Sequence, residues 1–254
     1  MYIKVIACEV TFREVCMAAA RSVNLVDLEF LSQGYHDNPE IGRARLQEKI
    51  DAADQGPFDA VVLLYALCNN MAVGLKAGRV PLVIPRAHDC ISFFMGSKER
   101  YSQYFRSHPG TYYYTSGWLE YQKRGKERVP HTQVSGLGST YLESYEEMVR
   151  KYGEDNAKFL AEFMGSWVQN YKQGAYIRFD FTDHLGFREQ VQSICAERGW
   201  QYDEIEGDMR LFQNLLDGRW DEEDFLVVPP GETVRATYDA QIIAIGRAQE
   251  GVAK

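Results

Sequence analysis

Three of the five cysteines, Cys8, Cys68 and Cys90, close or follow short apolar runs, and the last of them directly follows His88 and Asp89. Thiolates and an imidazole are the donors that zinc takes. Three thiols also suit a four-iron cluster with one non-cysteine position. Cys8, Cys68, Cys90 and His88 are therefore the candidate metal ligands. Zinc is preferred because His88 offers a fourth ligand. His88 and Asp89 are also the candidate acid/base pair. Each residue has a plainer role open to it: a strand-end cysteine packs as a small hydrophobe, and Asp89 caps the helix that follows. No tight C-x-x-C pair is present, so the metal reading rests on three strand ends coinciding.

Arg86 precedes the AHDC segment, and GSKER at 96–100 brings Lys98 and Arg100 together with small residues and backbone donors that suit a carboxylate or phosphate. With Asn69, these are the candidate substrate-binding residues. TYYYTSGW at 111–118 is read either as a pocket wall that excludes water or as a strand at an interface. PPGETV at 229–234 is a tight turn whose Thr233 has a hydrogen to donate. Cys16 and Cys195 fall on apolar helix faces, and His108, His131 and His184 have no ligand pattern around them.

Positioning these groups calls for strands whose carboxyl ends share one edge. YIKVIAC (2–8), LVDLEFL (25–31), FDAVVLLYALC (58–68) and VPLVIPR (80–86) read as strands. Between them lie helical patterns from Thr11 to about Ala20, from Pro39 with Ile41, Leu46 and Ile50 on one face, and around Met71–Ala77. The alternation predicts a parallel sheet with right-handed crossovers. It resumes with a helix near 142–172, the strand AYIRFDF, the helix FREQVQSICAERG, a strand at 201–206, the helix DMRLFQNLLDG and the strand DFLVVPP. The expected architecture is α/β, two Rossmann-like lobes with an active crevice at the strand C-terminal ends. The first lobe, 1–110, carries the Cys/His site. An aromatic and Gly-rich connection covers 111–140, and a second lobe covers 141–254.

The chain has 254 residues, 45% of them hydrophobic, and a formal net charge of −8. That balance speaks against tracking nucleic-acid phosphates. The one basic cluster, QKRGKERVPH at 122–131, reads as a solvated loop. No apolar run approaches a membrane span, and the N-terminus enters a strand without the pattern of a signal peptide. A cytoplasmic protein whose cysteines are thiols or ligands rather than disulfides is expected, with homo-oligomerisation left open.

The stretches IACEV, LLYALCNN, VPLVIPRAHDCISFFMGSKERY, HPGTYYYTSGWLE and VVPPGET together resemble the bacterial and archaeal family catalogued as domain of unknown function 1638. The similarity runs over nearly the whole chain, and the AHDC-to-GSKERY segment is its most specific part. The resemblance implies a setting beside corrinoid-dependent methyltransferase systems, with a corrinoid protein or a methyltransferase as partner. It assigns no role to any residue. The family commonly has GLCGN where this chain has ALCNN, so Ala66 and Asn69 stand in place of glycines beside Cys68.

Three functions follow as expectations. The first is a metal-dependent enzyme, a transferase or lyase acting on a small anionic substrate or thiol, with one-carbon transfer as its setting. The second is a non-catalytic carrier or assembly protein for a metal or corrinoid. The third dispenses with metal and uses Cys90 as a thiolate nucleophile activated by His88.

Overall fold

The β-branched Ile3, Val5 and Ile6 favour an extended chain and make Tyr2–Cys8 the interior strand β1 of a sheet in the computed structural model, which describes residues 1–124, 149, 150, 153, 154 and 170–246. The basic cluster beyond residue 124, His131, and most of the helix expected near 142–172 lie outside the described residues. After β1 come α1 (Phe12–Arg21), β2 (Leu25–Leu31), α2 (Pro39–Ala53), β3 (Ala60–Leu64) and β4 (Leu82–Pro85). α2 starts where Asn38 accepts the Ile41 amide and Pro39 supplies a preset φ. Its buried face is Gly42, Leu46, Ile50 and Ala53, while Ile41 is exposed.

The sheet order is β2-β1-β3-β4, all parallel. Every residue of β3 and β4 is buried, as a strand covered on both faces requires. The fifth strand is β8 (Phe225–Val228), which returns from the far end of the chain and pairs antiparallel with β4. The DFLVVPP strand expected in a second lobe thus completes the first sheet.

The second sheet, also parallel, is β5 (Thr111–Tyr114), β6 (Gln173–Arg178) and β7 (Gln201–Glu206), in that order. Alternation along β6 decides its faces. Ala175 and Ile177 join the core of the large sheet, whereas Tyr176 joins a smaller core with Phe187, Val191 and Cys195 of α6 (Phe187–Arg198). Cys195 is a packing residue there, its Sγ 3.9 Å from the Gly174 carbonyl. The two sheets therefore share one continuous core. α7 (Arg210–Asp217) packs its Leu211, Phe212, Leu215 and Leu216 into that core. Ser22 and Asn24 donate to the Leu216 carbonyl at 2.8 and 2.9 Å, tying the start of the chain to α7.

The helix expected around Met71–Ala77 is a succession of turns. Cys68, Asn69 and Asn70 all have positive φ, as does Gly74, and a right-handed helix cannot propagate through them. Lys76 instead bridges to Thr233, at the start of β9 (Thr233–Ala236). β9 and β10 (Ile243–Gly246) form a hairpin pair that carried no clear alternation in the sequence. The hydroxyl of Thr233 donates to the Gly246 carbonyl at 3.0 Å, and Gly231 at φ +84° makes the turn that PPGETV predicts. No helix among the described residues is long and apolar enough to cross a membrane.

Candidate functional site

Adjacency of β1, β3 and β4 places their three carboxyl ends side by side, and those ends lead to Cys8, Cys68 and Cys90. The loops after β3 and β4 run together: Leu67 and Cys68 donate their amides to the carbonyls of Ala87 and His88 at 2.9 and 3.1 Å. Cys8 is held from the other side by Thr11, whose hydroxyl donates to the Cys8 carbonyl at 2.7 Å.

The three thiols sense one another. Burial pushes the Cys8 thiol far above its ordinary pKa, with the charge of Cys90 adding to the shift. Burial raises Cys68, helped by Cys8 and Asp89, and raises Cys90, helped by Asp89 and Cys68. The Tyr65 hydroxyl lies buried beside Cys8 and Cys68, without a conventional hydrogen-bond partner among the described residues. Left alone, this edge is a cluster of neutral thiols. No group of three or more His, Cys, Asp and Glu side chains among the described residues is arranged to hold a metal ion.

Cys68 sits at φ +44° and Asn69 at φ +54°. Backbone held in this left-handed region by non-glycine residues costs on the order of 1 kcal/mol each and collects at functional loops. Glycine alone adopts this conformation freely, so Asn69 holds it at a cost.

His88 is exposed and acts on the neighbouring Asp89 carboxyl. Asp89 Oδ1 accepts the Ile91 amide at 3.0 Å, capping α3 (Ile91–Phe94), and Oδ2 accepts the Tyr101 hydroxyl at 3.1 Å. Burial raises the Asp89 pKa above the usual carboxylate value, against the lowering by Tyr101 and the main-chain amides. Asp89 and Cys90 line a cavity of about 670 Å³. Its other walls come from Ile91, from Tyr101 and Phe105 of α4 (Lys98–Ser107), from Gly110, Thr111, Tyr112, Tyr113 and Thr115, from Trp118 of α5 (Ser116–Arg124), and from Asn170 and Tyr171. Of TYYYTSGW, Thr111–Tyr114 form β5, and Tyr112 and Tyr113 line the cavity. Cys90 thus belongs both to the thiol edge and to the cavity.

The expected substrate-binding cations do not line this cavity. Arg86 donates to the carbonyls of Phe225, Gln241 and Ile243, fastening β8 and β10 to the sheet. Lys98 donates to the Glu223 carbonyl at 2.8 Å, and Arg100 to those of Met95 and Glu206 at 3.1 and 2.7 Å. The amides of Glu99 and Arg100, which GSKER was expected to offer an anion, are taken by the Ser97 hydroxyl as a helix cap. Each cation answers carbonyls that distant segments bring to it, and their approach left no local mark in the sequence. Asn69 is exposed on its strained turn.

Sequence reasoning missed one buried acid. Glu14 of α1 is fully buried, takes the Ser116 hydroxyl at 2.7 Å on Oε1, and leaves Oε2 unpartnered. Burial pushes its pKa up to about 7. Its neighbour Arg13 forks onto Glu120 at 2.6 and 3.0 Å, so α1 is joined to α5 by an ion pair and by the Ser116–Glu14 hydrogen bond. Gly117 permits this contact, since a Cβ there would overlap the Val10 carbonyl.

A family model described as "Protein of unknown function (DUF1638)" matches residues 30–216, the family that the sequence resembles. No curated protein and no solved structure matches the chain.

Proposed function

This chain belongs to the DUF1638 family, and we propose that it is a metal-dependent enzyme that binds a small organic molecule in the aromatic cavity and activates it beside the thiol edge. The observation that supports this reading is the adjacency of β1, β3 and β4, whose carboxyl ends lead to Cys8, Cys68 and Cys90, with Cys90 lining the cavity. Two buried thiols and a partly buried third, which raise one another's pKa, are a poor place for a lone anion. They become good ligands once a soft cation pays for their ionisation.

The donor set suits zinc or a four-iron cluster, either of which leaves a position for substrate when three sulfurs bind. Bound there, such a metal would supply Lewis acidity and hold a thiol or water ionised at neutral pH. The chain's own residues would do the rest. Aromatic walls would exclude water, Tyr65 would donate toward the Cys8 thiolate, and Asp89, which lines the cavity, would handle a proton with His88 exposed beside it.

The metal-free alternative, Cys90 as a nucleophile, has the wrong electrostatics. A nucleophilic cysteine needs its pKa lowered by a nearby cation, whereas burial, Asp89 and Cys68 all raise this one. The carrier reading shares the ligands and differs in lacking turnover. A corrinoid protein or methyltransferase remains the proposed partner, on the family resemblance alone.

Elemental analysis and a visible spectrum of protein purified without oxygen test the reading. Stoichiometric zinc in a colourless protein, or iron and sulfide in a brown one, is expected, with loss of metal from each of Cys8→Ser, Cys68→Ser and Cys90→Ser. Absence of metal from protein purified and reconstituted anaerobically overturns it, as does full retention in any two of the three variants.

A further inference from the structure

We infer that the cavity beside the thiols receives an organic cation, a methylated ammonium or sulfonium head, which names the substrate class for the function proposed above and rests on that reading for its catalytic meaning. Six aromatic side chains line the cavity: Tyr101, Phe105, Tyr112, Tyr113, Trp118 and Tyr171. Among the described residues that line it, the one carboxyl is Asp89 and there is no Lys or Arg.

The rings cross one another steeply. Tyr101 meets Tyr113 at 79° and 5.6 Å, and Tyr112 meets Tyr171 at 81° and 5.6 Å. Crossed rings form corners whose faces point in more than one direction. A cation over an aromatic face is drawn by the ring's quadrupole, most strongly where water is excluded.

An anion would be poorly served here. Three of the lining donors already use their hydrogens inside the protein, whereas the Tyr113 hydroxyl has no hydrogen-bond partner among the described residues. Tyr101 donates to Asp89, the Trp118 indole to the Tyr112 hydroxyl at 2.8 Å, and the Thr111 hydroxyl to the His108 carbonyl at 2.7 Å. The cations once assigned to substrate are bound to main-chain carbonyls elsewhere. Among the described residues, no Lys or Arg forms an ion pair with Asp89. A methylated onium head needs no acceptor for its own hydrogens and sheds its loose hydration easily, so it is the charged group that such a lining penalises least.

The test is calorimetric titration of the full chain with three molecules of one shape: choline, its neutral isostere 3,3-dimethylbutan-1-ol, and the anion 3,3-dimethylbutanoate. Choline is expected to bind about tenfold more tightly than the neutral isostere, and the anion not to bind. Tyr171→Leu and Trp118→Leu should weaken choline several-fold while Tyr171→Phe, which keeps the ring face, retains it. Asp89→Asn should weaken choline without weakening the neutral isostere. Cys8→Ser, outside the cavity lining, should lose metal and keep choline binding, so failure of the metal reading and failure of this one are told apart. Equal or tighter binding of the alcohol, binding of the anion, no choline binding at millimolar concentration, or unchanged binding in folded Tyr171→Leu overturns the inference.

Discussion

The Cys68 amide donates to the His88 carbonyl at 3.1 Å, which makes the loops beyond β3 and β4 a single laced rim rather than two independent turns. That lacing ties the left-handed Cys68 to His88, the residue just before the Asp89 that caps α3. Whatever changes the charge of one thiol is felt across the rim.

Metal-free protein should react slowly with iodoacetamide at pH 7 at all three rim cysteines, at least about tenfold more slowly than an ordinary exposed thiol. The cause is burial, which keeps them protonated. Mass spectrometry of timed samples measures this. Fast alkylation of Cys90 would restore the lone-nucleophile reading.

The same shifts fix the sign of an alkaline effect. A thiol whose pKa is raised by folding contributes stability that is complete below the unfolded value, near pH 9, and lost as pH rises toward the folded one. Denaturant midpoints of metal-free protein should therefore fall above about pH 9. The Cys8→Ser variant should show a shallower fall.

Glu14 acts in a lower window. Its folded pKa of about 7 exceeds the ordinary 4.5, so stability is full below pH 4.5 and declines as pH rises to 7. Glu14→Gln should flatten that decline, removing a penalty of roughly 3 kcal/mol at pH 8 less the cost of any unpaired amide hydrogen. Comparing Tm at pH 5 and pH 8 for both proteins decides it, and identical slopes would mean that the acid does not titrate in this range.

Position 69 should prefer glycine. Asn69→Gly is expected to stabilise the protein by up to about 1 kcal/mol and Asn69→Ala to destabilise it, since φ +54° suits glycine, then asparagine, then alanine. Chemical denaturation of the two variants measures the order, and a more stable alanine variant contradicts the strain assigned to this turn.

Gly117→Ala should be severe, costing about 3 kcal/mol or more, because the new methyl meets backbone at Val10 and not the yielding end of a side chain. Val10 lies two residues past Cys8, so metal uptake should fall together with Tm. A neutral substitution would show that α5 does not press on this turn.

Much of the large sheet was legible because its strands are short apolar runs bounded by helices with the right period. YIKVIAC and LVDLEFL coincide with β1 and β2 and Cys8 closes β1, whereas β3 ends at Leu64 and β4 at Pro85, so Cys68 and Cys90 lie in the loops beyond them. Their neighbour relation required the strand order, which no local pattern carries. The turn at 68–70 defeated the helical reading of 71–77 because left-handed backbone is set by its surroundings and asparagine merely tolerates it. Arg86, Lys98 and Arg100 resemble anion ligands in sequence, and only distant carbonyls reveal their other employment. Glu14 looked like an ordinary helical acid until α5 covered it.

The antiparallel return of β8 to β4 has a consequence for biogenesis. During synthesis the flank of β4 stays bare until residues 225–228 have left the ribosome, more than a hundred residues after β4 itself. An uncovered apolar edge is a template for pairing with other chains. A nascent or truncated chain ending before Phe225 should therefore depend on chaperones or precipitate, and the last strand of the large sheet is the one that seals it.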